Sequence, residues 1–361
     1  MRYIRFLKSP RVVAEKGTSR KQVHCLVTIT SDLGDSFLPY DLQLAAELSA
    51  TTDGSEESVI VWSTVQWTAG MRSLPVTFPL PKSQASQSSL RVRVGGEPKR
   101  THDDFAAIAE KGARGVVSAW SPPFASNQDA LKLVERRFKL PDGPITTIWE
   151  ETGESIARHL WDAGITLSCQ ITALDNPKSS LAEALLPYGL ASEPHLNILE
   201  LGTGCGMVGI AIAQTVSHSK VLLTDLPEAR EIVERNIDSA VKAPGASLAF
   251  MELDWNAELP GEVQSSSEPL DLVLAADCTY NPDSSPALVK TLTRLSRANP
   301  RVRIAIAMKM RHSSEEVFFK LMFDAGFLET DKMEFPLPGD VKVGEETVYL
   351  HVYYRAFFVP T

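Results

Sequence analysis

Residues 197–209 read NILELGTGCGMVG, an apolar run that closes on an acid and three alternating glycines: Glu200, Gly202, Gly204 and Gly206. Alternating glycines let the backbone press against a ligand with no Cβ in the way, as a nucleotide-like cofactor requires. The same letters contain Gly204-x-Gly206-x-x-Gly209, a dinucleotide pattern, and Asp225 follows about 20 residues later, where a ribose partner belongs. The glycines alone therefore fit S-adenosylmethionine, a dinucleotide, or a packing turn without ligand. Two further spots carry chemistry. At Asp254-Trp255 a carboxylate can accept from an adenine amino group while an indole lies against the ring. The plainer alternative is a turn aspartate beside a core tryptophan. Asp277-Cys278-Thr279-Tyr280 sets an acid and a phenol three positions apart.

The elements that position these residues follow from hydropathy. HLNILEL, VLLTD (221–225), LAFMELD (248–254), LDLVLAAD (270–277) and VRIAIAMK (302–309) are short, nearly continuous apolar runs, as expected of parallel strands buried on both faces. Helical periodicity fills the intervals at 207–216, 228–241 and 286–296, with Pro227 suited to a first helical turn and Asp225 and Glu228 spaced as a capping pair. Strands alternating with helices predict an α/β fold with a parallel, doubly wound, Rossmann-like sheet. After a helix at 314–325, FLETDKMEF and ETVYLHVYYRAFF follow with no helix between them and read as a terminal antiparallel hairpin. A hairpin inserted into an otherwise parallel sheet is the seven-strand methyltransferase topology, which favours S-adenosylmethionine over a dinucleotide. Gly202, Gly204, Gly206, Asp225, Trp255 and Asp277 all fall at carboxyl ends of strands, where an open α/β sheet has its ligand crevice.

These motifs resemble the seven-strand protein-lysine methyltransferases, the family that includes the valosin-containing-protein and elongation-factor lysine methyltransferases. The resemblance runs roughly from 148 to 354 and rests on Trp149 before the first helix, ILELGTGCGMVG, LLTDLPE, LDW at 253–255 and AADCTY at 275–280. It implies S-adenosyl-L-methionine as cofactor, with Trp149 and Glu200 near its methionine part and Gly202 and Gly204 beneath it. Asp225 would meet the ribose hydroxyls, and Trp255 and Ala276 would surround the adenine and cofactor pocket. Asp277 and Tyr280 would face the substrate amine. One departure stands out: where relatives often carry a glutamate after the fifth strand, this chain reads Met308-Lys309-Met310-Arg311.

A lysine amine with a pKa of about 10.4 is neutral in only about one part in a thousand near neutrality, which costs the nucleophile roughly 4 kcal/mol. A nearby carboxylate raises that pKa, whereas partial burial and a sulfonium cation lower it. Asp277 is therefore expected to orient the amine and accept its proton, while in-line alignment supplies about 7–11 kcal/mol. The D-x-x-Y order is also similar to the D/N-P-P-Y/F signature of nucleic-acid amino methyltransferases, but Cys278-Thr279 replace the prolines. A net charge of -9 disfavours a phosphate backbone as partner. A protein substrate is preferred. A small-molecule amine, a nicotinamide-dependent oxidoreductase and a non-catalytic cofactor-binding protein remain as alternatives.

The 361 residues allow two domains, and 43% hydrophobic with 22% charged residues is ordinary globular composition. Residues 1–100 are expected to form a β-rich domain carrying VHCLVTIT, VIVWSTVQW, LPVTFPL and LRVRV, with polar spacers TTDGSEES and KSQASQSS. In it Trp62 and Trp67 are read as core residues before partner anchors. A helical connector is expected over 101–145 and the catalytic domain over 146–361, with PDGPIT (141–146) as a loop folding over the cofactor. Cys25, Cys169, Cys205 and Cys278 show no C-x-x-C and the seven histidines no ligand spacing, so no metal is expected, and a catalytic thiol at Cys278 is disfavoured. No signal peptide and no run of about 18 apolar residues are present, so no membrane association is expected. A cytoplasmic monomer is the default expectation, with the nucleus as the alternative compartment.

Overall fold

The computed structural model describes residues 1–356 apart from 16, 19, 52–56, 82–88, 111–113, 142, 154–155, 187–194, 265–267 and 339–346. Most of both polar spacers lies outside the described residues. The chain divides into two compact units, one formed mainly by 1–139 and 147–159, the other mainly by 140–146, 160–337 and the C-terminal strand.

In the first unit, β1 (Arg2–Ala14), β2 (Lys21–Thr30), β5 (Leu74–Pro79) and β8 (Val116–Val117) form a sheet in the order β5-β2-β1-β8. The other sheet comprises β3 (Leu42–Thr51), β4 (Ser58–Trp67), β6 (Ser89–Gly95), β9 (Ala119–Trp120), β10 (Leu133–Lys139) and β11 (Ile145–Glu151). It runs β11-β10-β9-β6-β3-β4, with β7 (Asp103–Asp104) paired to β10. Strict alternation drives the packing. In β5, for example, Leu74, Val76 and Phe78 point inward while Pro75, Thr77 and Pro79 face out. Inward residues of both sheets share one core, in which Trp67 is fully buried and donates its indole N–H to the Leu38 carbonyl at 3.0 Å. Trp62, on the same strand, is exposed.

The helical connector expected over 101–145 is not there. Among its described residues the only helix is the five-residue α1 (Phe105–Ala109), and others supply β7 to β10 and the start of β11. LVERRFK looks helix-forming by residue type, but its charges are paired across strands. The Arg136 guanidinium meets Glu150 Oε1 at 2.8 Å through Nε and 2.5 Å through Nη2, with both side chains buried.

The second unit holds β12 (Leu196–Leu201), β13 (Ser219–Asp225), β14 (Ser247–Glu252), β15 (Leu272–Ala276), β16 (Arg303–Met308), β17 (Phe327–Pro336) and β18 (Thr347–Arg355). Their order is β14-β13-β12-β15-β16-β18-β17, parallel through the first five and antiparallel around β18. This is the expected doubly wound sheet with its terminal hairpin. Around it lie α2 (Asp162–Gln170), α3 (Ser180–Leu185), α4 (Met207–Thr215), α5 (Arg230–Ser239), α6 (Gly261–Gln264), α7 (Ser285–Ala298) and α8 (Val317–Asp324). Winding reverses between β12 and β15, the switch point at which such sheets open a crevice.

Register decides which residues line that crevice. Leu201 is level with Thr224 on one side and Ala275 on the other, so Gly202, Asp225 and Ala276 leave the sheet together. The loop expected to cover the cofactor lies elsewhere. Thr146 Oγ1 donates to Gln214 Oε1 at 2.7 Å, and a Cβ on Gly143 would sit 3.4 Å from Thr215 Cγ2. Both contacts are at the C-terminal end of α4, about 13 Å along the helix from the glycine turn.

Burial alone would raise the Glu150 carboxyl, but the Arg136 guanidinium and His159 override it and hold it well below the ordinary range. A depressed carboxyl stabilises the fold at neutral pH, and that contribution is lost as pH falls below about 4.3 toward the folded value. Replacing Arg136 with Met leaves a buried carboxylate unpaired and is expected to cost about 3–5 kcal/mol in chemical denaturation at pH 7. The deficit should shrink on acidification. A cost that is small, or independent of pH, would show that the pair does not stabilise the fold through this charge.

Candidate functional site

The turn after β12 is built by its own sequence. Gly202, Gly204 and Gly206 have φ of 61°, 58° and 83°, the left-handed region that side chains resist. Gly206 precedes α4 and has no side chain to cap it, so the helix borrows a cap from the strand below. The Gly209 N–H, in the first turn of α4, donates to Glu200 Oε2 at 2.9 Å. Gly209 is itself obligatory, because a Cβ there would lie 2.2 Å from Leu223 Cδ2. The acid at the root of the motif thus has a place under the helix. Burial, with Asp225 nearby, pushes the Glu200 carboxyl up to about 8.

Asp225 closes β13 and turns toward the glycines. Its Oδ2 accepts from the Gly204 N–H at 2.8 Å and its Oδ1 from the Leu226 N–H at 2.7 Å. It does not pair with Glu228 as a helix cap. The following helical turn begins at Pro227 with Leu226 in the cap position and no side-chain hydrogen bond. Other backbone groups of the turn are also held: Asn236 Nδ2 donates to the Cys205 carbonyl at 2.8 Å, and the Thr203 N–H donates to the Thr224 carbonyl at 3.0 Å. A carboxylate offers about four acceptor directions, so Asp225 keeps capacity for two hydroxyls while fixing the turn.

Leu253 follows Asp225 across the sheet through an N–H to Asp225 carbonyl bond of 2.8 Å, which brings Asp254 and Trp255 to the same rim. Asp254 Oδ1 accepts from the Asn256 N–H at 2.8 Å, the turn role weighed as its plainer alternative. Trp255 is half-buried, packs on the core of the sheet and lies under Gly202, where a Cβ would come 3.2 Å from its Cζ2 and 2.6 Å from Cys278 Sγ. Burial raises the Cys278 thiol well above its ordinary value, so it is a packing group and not a nucleophile. Ala276 closes β15 beside Gly202.

Asp277 is a non-glycine residue at φ 54°, buried, with both carboxylate oxygens engaged. Oδ2 accepts from the Ala163 N–H at 2.7 Å, capping α2 from outside the helix, and Oδ1 meets Arg311 Nη1 at 2.8 Å. Tyr280 is 44% exposed, its ring nearly parallel to Trp161 at a 9° interplanar angle and 6.4 Å between centroids. Burial raises its phenol above the ordinary value, so it stays protonated. The sequence marks Lys309 and Arg311 only as a departure from relatives, and it does not mark Trp161 or Asp162. Trp149 does not precede the first helix of this unit. It belongs to β11 of the other unit, and Trp161 holds the position before α2. The signal was present as a tryptophan and an acid opening an apolar helical run.

Fold and site define a methyltransferase that uses S-adenosylmethionine. The sequence profile described as lysine methyltransferase matches residues 141–325, and the chain belongs to that family. The chain is 28% identical over 320 residues to UPF0665 family protein C23C4.06c of Schizosaccharomyces pombe, covering 88% of this chain and 91% of that one. It is 31% identical to protein-lysine N-methyltransferase EFM6 of Saccharomyces cerevisiae, over 49% of this chain and 73% of that protein. It is 30% identical to calmodulin-lysine N-methyltransferase of Arabidopsis thaliana, over 40% of this chain and 49% of that relative.

A carboxyl raised on folding makes the native state bind a proton that the unfolded state releases, so stability falls as pH rises from about 4.3 to the folded value. For Glu200, pushed up to about 8, this means a melting temperature that declines between pH 5 and 8.5. Glu200→Gln keeps an acceptor for Gly209 and is expected to flatten that decline. Identical pH slopes in the two proteins would contradict the assignment.

Proposed function

We propose that the second unit methylates a lysine side chain of a protein substrate at the rim formed by Gly202, Asp225, Trp255, Ala276, Asp277 and Tyr280. One observation carries this reading: the strand register delivers an acceptor carboxylate, an indole and a preformed glycine turn to the same edge of the sheet as Asp277 and Tyr280. These groups fit the cofactor. Asp225 is suited to the ribose hydroxyls, Trp255 to the face of the adenine, Asp254 to its amino group, and Gly202 and Gly204 to close backbone approach. Glu200 acts from beneath, by holding α4 and the turn. When bound, S-adenosylmethionine supplies a methyl carbon on a cationic sulfur.

The residues of the chain then have to place a neutral amine. Asp277 accepts from Arg311 and from the start of α2, so both of its oxygens are committed before substrate arrives. Its part is to orient, and the proton of the amine leaves to solvent, with Arg311 as a neighbouring positive charge that disfavours the ammonium form. Tyr280, protonated and half in water, offers its ring to the lysine stem and its hydroxyl to the nitrogen. The net charge of -9 supports a protein partner over a phosphate backbone. No helix among the described residues is long and apolar enough to cross a membrane. All four cysteines are buried thiols outside any disulfide, which supports a reducing compartment such as the cytosol.

Incubation of the chain with cell lysate and radiolabelled S-adenosylmethionine should place label on lysine in a protein band. Label confined to small molecules would redirect the activity to a free amine. Asp277→Asn is expected to lower transfer by about a hundredfold, near 2.7 kcal/mol of transition-state stabilisation, with affinity for S-adenosylhomocysteine within about threefold of wild type. Equal losses in both would make Asp277 a cofactor-site residue.

A further inference from the structure

Lys309 follows β16, is 1% exposed, and sets its Nζ 2.8 Å from Oδ2 of the fully buried Asp162. Taking two charges out of water is costly, and a well-packed apolar pair is often as stable, so the ion pair asks for a reason beyond stability. Its location supplies one. Asp162 is the first residue of α2, directly after Trp161. The next residue, Ala163, gives its N–H to Asp277. Two positions beyond Lys309, Arg311 grips the other oxygen of Asp277 and places its guanidinium 5.5 Å from the centre of the Trp161 ring. That ring faces Tyr280. The ends of β15 and β16 and the start of α2 are thus joined in a closed circuit, in which the Asp162–Lys309 pair touches neither Asp277 nor Tyr280.

We propose that Asp162 and Lys309 are positioning residues: their buried pair locks the first turn of α2 to the end of β16, and through Trp161 and Ala163 it holds Tyr280 and Asp277 in the arrangement that receives the substrate amine. This rests on the reading of Asp277 and Tyr280 as the amine-facing groups. It also gives a physical role to a buried base at the end of β16. The latch acts on orientation and leaves the glycine turn and Asp225 untouched, so it governs turnover more than cofactor affinity.

Two variants of the whole chain test the latch, Lys309→Met and the double variant Asp162→Asn with Lys309→Met, which leaves no unpaired charge. The readouts are label transfer to lysate protein at saturating S-adenosylmethionine, calorimetric affinity for S-adenosylhomocysteine, and amide exchange at Ala163 and Gly209. The latch predicts at least a tenfold loss of transfer, affinity within about threefold of wild type, and Ala163 exchange accelerated at least tenfold with Gly209 unchanged. If Lys309→Met does not fold, the double variant decides. Wild-type transfer and Ala163 protection in the double variant would overturn the proposal. So would parallel loss of affinity and of Gly209 protection, which would reduce the pair to general stability. A wild-type chain that labels nothing defeats the functional reading instead, and the Ala163 exchange still decides the latch.

Discussion

Everything at the rim depends on two acidic side chains that spend themselves on backbone. Asp225 holds the Gly204 N–H and Glu200 holds the Gly209 N–H, so a turn of three left-handed glycines is fixed before any ligand arrives. Such a turn is costly to order from a free chain, since glycine loses more conformational freedom than other residues. The strands on either side meet that cost by burying apolar runs on both faces and delivering the two acids in register. Removing the ordering step from the binding event is what preorganisation means energetically.

The same logic appears at the next strand end with a different outcome. Asp277 sits in a strained backbone conformation and is held by an arginine on one side and a helix start on the other. A carboxylate so placed has a fixed direction. Tyr280 keeps its proton because burial raises its phenol. In the proposed function these two groups contribute orientation, beside the positive charge of Arg311.

Much of the second unit was legible because its signals are local. Continuous apolar runs named the parallel strands, a missing helix exposed the terminal hairpin, and the glycine spacing located the crevice. The first unit was harder. LQLAAELSAT, rich in alanine, leucine and glutamate, forms β3 between β6 and β4, and the charged LVERRFK becomes β10 because Arg136 finds Glu150 on the next strand. Neither pairing is visible in a window of ten residues. The elements beside Asp277 were not legible for the same reason. Trp149 and Trp161 are equally eligible by spacing, and only the fold shows which one opens a helix. Asp162 and Lys309 are 147 residues apart in sequence, and nothing local marks either as the other's partner.

The central claim is that the edge of the second sheet is a ready-made S-adenosylmethionine site with Asp225 as its ribose anchor. Calorimetric titration of the chain with S-adenosylhomocysteine, beside Asp225→Ala and with NADH as the control ligand, tests it directly. The account predicts one molecule bound per chain, at least tenfold weaker binding in the variant, about 1.4 kcal/mol, and no heat from NADH. Absence of binding by the wild-type chain, or equal affinity in the two proteins, would contradict it.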